Sequence, residues 1–166
     1  MSVRVTTAHS IATACPRRPF RAAAVLGAVL LVPVATAGCT GYSGTQANQV
    51  SQWASQYAVV SNDRTVLSDV KAIRRSLQAK RLKDVTSNCS GLVYDTGTAY
   101  GNLPTPDNAL TNELNVAYQD FASGGSTCAA AGSLDSSRIT SALATIGEGV
   151  VALDKATRLL AADGVR

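Results

Sequence analysis

Histidine and methionine are almost missing from this 166-residue chain: each occurs once, as His9 and Met1, at the extreme N-terminus. From residue 39 onward the chain has neither. A domain without histidine cannot assemble a Ser-His-Asp or Cys-His catalytic site, a zinc centre of the usual kind or a histidine-ligated haem. Without methionine there is no axial thioether, and the Glu-x-x-His pairs of di-iron helical proteins are missing as well. No Gly-x-Ser-x-Gly elbow, phosphate loop or calcium-loop pattern occurs. The expectation is a non-enzymatic protein with no catalytic residues, no metal and no cofactor. Carboxylates alone can hydrolyse glycosides, and Glu113, Asp120 and Glu148 lie mid-helix, but the pattern puts none on an apolar seam that would raise its pKa.

Acidic residues are absent from the first 60 positions, where Arg4, Arg17, Arg18 and Arg21 supply the charge. Ala22–Val32 follows, eleven uncharged and mostly apolar residues ended by Pro33. That is the length of a signal-peptide core and too short for a membrane-spanning helix, which needs roughly 20 residues. The formal net charge of +4 belongs to this leader, and the chain after residue 38 is neutral. Arg17-Arg18-Pro19-Phe20 resembles the core of a twin-arginine export motif, although Arg21 departs from the apolar residue usual there. The ordinary secretory route and the twin-arginine route both stay open.

Two processing sites compete. Ala35-Thr36-Ala37 permits cleavage before Gly38, which would release a freely secreted protein. Thr36-Ala37-Gly38-Cys39 resembles a bacterial lipobox, with Thr36 in place of the usual Leu or Val. Cysteine arithmetic favours the lipobox. Cys15 leaves with the leader, and the odd number left (Cys39, Cys89 and Cys128) is explained if Cys39 carries the lipid. Thr40–Thr45 then reads as a flexible tether, and a multi-chain lipid gives stable attachment. The expected domains are a removed signal peptide (1–38), a lipidated Cys and tether (39–45) and a helical domain (46–166).

Apolar residues in the helical domain recur at three-four spacing, and strand-type alternation is absent. From about Gln46 to Lys83 the stripe is Val50, Trp53, Tyr57, Val60, Leu67, Val70 and Leu77. Ser61-Asn62-Asp63 could cap a second helix within it. Asp84 to Tyr100 places Val85, Cys89, Leu92, Thr96 and Ala99 on one face, continued by Leu103. Leu103-Pro104-Thr105-Pro106-Asp107 makes a boundary, with Thr105 as N-cap and Pro106 opening the next helix. That helix aligns Leu110, Leu114, Ala117, Phe121, Gly124 and Cys128, weakened near its end by Gly124-Gly125. The last, Leu134 to about Ala162, aligns Ile139, Leu143, Ile146, Val150, Leu153, Thr157 and Leu160, with Gly147 and Gly149 inside it. The expectation is an all-α, up-and-down antiparallel four-helix bundle.

Cys89 and Cys128 fall on core-facing positions of adjacent helices, which outside the cytoplasm predicts a disulfide. Ideal antiparallel helices would leave them roughly 14 Å apart along the axis, so the bond demands an offset, an early helix end or a fold-back. Asn88-Cys89-Ser90 matches a glycosylation sequon and reads as chance beside a cystine. The charges also divide: Asp63–Lys83 carries +5 and the remainder −5. Arg74, Arg75, Lys80, Arg81 and Lys83 are candidate contacts to an anionic surface, while the simpler expectation pairs them with acids on neighbouring helices. With no aromatics interleaved, a nucleic-acid partner is not expected. Trp53, Tyr57, Tyr94, Tyr100 and Tyr118 read as core or rim residues.

The lipobox-like Thr36–Cys39, eleven Arg against four Lys, the Cys89/Cys128 pair and the Leu-Pro-Thr-Pro-Asp turn together resemble small exported lipoproteins of high-GC Gram-positive bacteria. The resemblance implies a location, the outer face of the cytoplasmic membrane, and an architecture. It implies no activity. The function expected is an anchored binding or interaction module for an envelope protein or an anionic polymer. A carrier of a small apolar ligand and a carboxylate-dependent hydrolase are the rivals.

Overall fold

The computed structural model describes residues 42–134 and 136–166. The expected signal segment, Cys39 and the start of the tether lie outside the described residues. Five helices occur, α1 (Gln46–Gln56), α2 (Val59–Gln78), α3 (Leu82–Tyr100), α4 (Asn108–Ala129) and α5 (Ser137–Ala162), and the described residues contain no strand. The fold is all-helical, with one disulfide joining Cys89 to Cys128. None of the described helices is long and apolar enough to cross a membrane.

The first apolar segment divides into two helices, and the break comes before the expected capping residues. Ala58 adopts a left-handed conformation at φ 49°, which starts α2 at Val59 without a side-chain cap. A break resets the helical phase. The buried stripe of α2 is therefore Val59, Asp63, Val66, Val70 and Ile73, one step away from the expected Val60 and Leu67, which are half-buried. A second left-handed residue, Lys80 at φ 53°, separates α2 from α3.

The boundary before α4 is also shifted. Asp107, and not Thr105, is the N-cap: its Oδ1 accepts from Ala109 N–H at 2.6 Å and Leu110 N–H at 3.3 Å. Thr105 is buried and shapes the turn, accepting from Asp107 N–H at 3.0 Å, while Thr111 Oγ1 accepts from Thr105 N–H at 2.9 Å. Ser136 caps α5 by accepting from Ile139 N–H at 3.3 Å. These contacts satisfy amide donors that no helical carbonyl can reach.

Each of α2 to α5 packs against its chain neighbours, with α4 and α5 in the most extensive contact. The glycines explain how closely they approach. A Cβ on Gly124 would lie 2.7 Å from Ile146 Cγ1 and 2.9 Å from the Ala142 carbonyl of α5. One on Gly125 would lie 2.8 Å from Val93 Cγ2 of α3, and one on Gly149 3.0 Å from the Phe121 ring of α4. Gly147, by contrast, faces open space. Glycine at the three crowded positions is an approach point, offsetting its helix-propensity cost of about 1 kcal/mol.

The disulfide joins Cα atoms 5.8 Å apart, so the expected misfit is resolved by an axial offset. Cys89 lies eleven residues before the end of α3 and Cys128 twenty after the start of α4. The connection 101–107 therefore carries the chain past the end of α3 before α4 begins, displacing it by about 14 Å. α1 covers this overhang: Trp53 is buried there and its Nε1–H donates to the Asn102 carbonyl at 3.0 Å.

The tail of the expected tether is held against the fold. Tyr42 Oη–H donates to Gln56 Oε1 at 3.2 Å, and Gln49 and Gln52 donate to the Gly44 and Ser43 carbonyls at 3.1 and 3.3 Å. Thr45 caps α1.

Candidate functional site

The seam between α2 and α5, the first and last of the four longer helices, closes only locally. Two hollows lie along it. One, of about 260 Å³, is lined by Val70, Ile73, Leu77, Leu143 and Ile146, with Arg74 at its edge. The other, of about 310 Å³, is lined by Val60, Asp63, Leu67, Leu160 and Val165, with Arg64 and Arg166 beside it. Val60, Leu67, Leu77 and Leu143 all belong to the apolar stripes expected from spacing, yet they line this groove half-buried. α2 carries apolar doublets, Val59-Val60 and Val66-Leu67: the first member of each enters the core and the second is left for the groove. Such doublets widen the apolar face beyond one core stripe, which is the signal that single-stripe reasoning passes over.

Asp63 sits at the base of the second hollow, 7% exposed. Its Oδ1 accepts from Tyr118 Oη–H at 2.8 Å, across from α2 to α4. Burial lifts its pKa to about 6, against the opposing pull of the Tyr118 hydrogen bond. Burial and the neighbouring carboxylate raise the Tyr118 phenol far out of the working range, so the tyrosine is a permanent donor. The second oxygen of Asp63 accepts no hydrogen bond among the described residues. The groove therefore pairs an apolar wall with one buried acceptor.

Other acids also come together. Asp69 of α2 is raised to about 6 by burial and by its contact with Asp95 of α3. Glu113, Asp120 and Glu148, scattered in the sequence, line one open hollow between α4 and α5. Lys155 Nζ lies 3.9 Å from Glu113 Oε2, and burial together with the charge of Glu148 raises Asp120. Helix spacing by itself did not bring these three acids together, because the meeting depends on how α4 and α5 are rotated. No group of three or more potential metal ligands forms among the described residues.

Arg74, Arg75, Lys80, Arg81 and Lys83 are all exposed around the α2–α3 corner. Arg81 Nε pairs with Asp84 Oδ2 at 3.0 Å, a bridge within one turn of chain. The other four form no ion pair among the described residues, so the expected pairing with neighbouring helices is absent there. Asn88 of the sequon-like triplet is half-buried and donates to Ser76 Oγ at 3.0 Å. Trp53 and Tyr118 are core residues, whereas Tyr94 is 76% exposed.

The chain matches no protein-family model, and no curated protein or solved structure resembles it closely enough to count as a match.

Proposed function

We propose that the protein is an exported lipoprotein, anchored through Cys39 to the outer face of the cytoplasmic membrane. In this reading α2 to α5 act as an up-and-down four-helix bundle, with α1 as an end piece, and the module binds without catalysing. The observation that carries a binding role is the open α2–α5 groove, whose apolar wall holds one free carboxylate oxygen, that of Asp63. Small-molecule sites are of this kind, a mostly apolar hollow of several hundred Å³ with a few placed polar groups. The groove favours the carrier form of the module, and its chemistry selects the ligand. A single apolar chain suits Val60, Leu67, Leu160 and Val165, and a hydroxyl-bearing head can donate to Asp63. A cationic head is disfavoured by Arg64 and Arg166 at the rim. The acids at Glu113, Asp120 and Glu148 line a hollow open to solvent, with Lys155 3.9 Å from Glu113, and take no part in this reading.

Two measurements test this reading. The intact mass of the mature protein from membranes is expected to begin at Cys39 with a diacylglycerol attached. An unlipidated species beginning at Gly38 would overturn the anchor. Titration with 1-decanoylglycerol is expected to saturate at one equivalent, and Leu67→Glu is expected to abolish binding. Absence of saturable binding to the parent protein would overturn the groove as a ligand site.

A further inference from the structure

Among the described residues, the packing of α2 to α5 converts a charge division along the sequence into one along the helix axes. Residues 70–92, 122–134 and 136–147 form the half that contains the α2–α3 corner and the start of α5. Among the described residues this half holds seven bases (Lys71, Arg74, Arg75, Lys80, Arg81, Lys83 and Arg138) and one acid, Asp84. The other half holds nine acids and only four bases (Arg64, Lys155, Arg158 and Arg166). Arg138 joins the basic half from α5, donating to the Ala130 carbonyl at 2.8 Å, so the patch gathers residues from distant parts of the chain.

Where the chain enters decides which way this dipole points. Tyr42 lies against Gln56 at the end where α2 begins, and Cys39 is only three residues earlier. α2 has 20 residues and spans about 30 Å, so the basic half sits at the far end from the tether. A membrane anchored through Cys39 is thus next to the acid-rich half, which anionic headgroups repel. The basic half is held outward, beyond a Debye length of about 8 Å from that surface.

We infer that the basic end is a docking surface for a phosphodiester polymer lying outside the membrane, which the anchored module holds end-on. The inference rests on the Cys39 anchor for its geometry and on charge complementarity for its partner. Among the described residues Arg74, Arg75, Lys80 and Lys83 pair with no carboxylate, and arginine presents a fork that fits phosphate oxygens. The basic half carries no aromatic side chain, so it offers no platform for stacked bases. That favours a polymer with a bare phosphodiester backbone over a nucleic acid.

The test uses the lipidated mature protein in phosphatidylcholine vesicles and a synthetic poly(glycerol phosphate) as probe. About four phosphate contacts predict a salt dependence of log affinity with slope roughly −3. The Arg74→Gln, Arg75→Gln, Lys83→Gln triple variant alters only exposed side chains and is expected to keep its helicity. It is expected to bind at least tenfold more weakly at low salt with a slope shallower by roughly 2. Lys155→Gln with Arg158→Gln, on the acid-rich half, is expected to change neither quantity. An unchanged affinity and slope in the triple variant would overturn the surface. Competition by phosphatidylglycerol placed in the same vesicles would overturn the outward orientation, and tenfold tighter binding of single-stranded DNA of equal charge would overturn the partner. Loss of the anchor reading shows in the intact mass instead, so the two failures are distinguishable.

Discussion

Two glycines in helix interiors, Gly124 and Gly147, are expected to respond to alanine in opposite directions. In an exposed helix the change stabilises by about 1 kcal/mol, through lost unfolded-state entropy and better propensity. Gly147 is such a site, since a Cβ there meets nothing within 4 Å. At Gly124 the new Cβ would sit 2.9 Å from the Ala142 carbonyl and 3.1 Å from the Ile146 nitrogen, both backbone atoms of α5. Rotamer changes relieve neither contact. α4 and α5 must separate by about half an ångström along their whole packed length, and overpacking of this kind costs about 1–3 kcal/mol. Set against the propensity gain, the net effect of Gly124→Ala is a loss of up to about 2 kcal/mol, or up to roughly 8 °C in melting temperature. Gly147→Ala is expected to raise the midpoint by a few degrees. Reversible thermal and urea unfolding, followed by helical circular dichroism with the disulfide intact, measures both. If Gly124→Ala gains as much stability as Gly147→Ala, α4 and α5 are not packed backbone to backbone at Gly124.

Replacing both Cys89 and Cys128 by alanine releases a loop of 39 residues and is expected to lower stability by about 4 kcal/mol, read from urea midpoints. Asp63 holds a proton up to about pH 6 when folded and only to the ordinary carboxylate range when unfolded. Native stability therefore falls as pH rises from about 4 to 6 and stays lower above that. Asp63→Asn removes this dependence, and its stability relative to the parent is expected to improve by up to about 3 kcal/mol between pH 4 and pH 7.5. A pH-independent difference would contradict the burial of that carboxylate. Trp53→Ala is expected to cost about 3–5 kcal/mol and free α1, seen as faster amide exchange confined to residues 46–56 and the 101–107 connection.

The stripes on α3 and α4 could be read from spacing: Val85, Cys89, Leu92, Thr96 and Ala99, then Leu110 to Cys128, are all buried as expected. α3 buries that one stripe, whereas α4, packed between α3 and α5, also buries Tyr118 and Gly125 beside it. α2 was misphased because one left-handed residue, Ala58, resets the rotation, and alanine carries no sign of such a conformation. The groove is illegible in the sequence for a related reason. Its residues are apolar and correctly spaced, and only the relative placement of α2 and α5 leaves them half covered. Asp63 reads as a helix cap in the sequence. Its burial against Tyr118 depends on the packing of α2 near α4, which brings together residues 55 apart in the chain.

Local chemistry alone determined the helical class, the cysteine pair, the lack of histidine and methionine after residue 39 and the division of charge, because periodicity, composition and spacing are properties of neighbouring residues. Tertiary structure decided what those features became. It set the axial offset that lets Cys89 meet Cys128, turned Gly124, Gly125 and Gly149 from weak points into contact points, and left the α2–α5 seam open around Asp63. Among the described residues it also gathered seven of the eleven bases at one end of the helices and nine of the ten acids at the other. Each of these depends on the rotation and offset of one helix against another, which is set by the packing of side chains far apart in sequence.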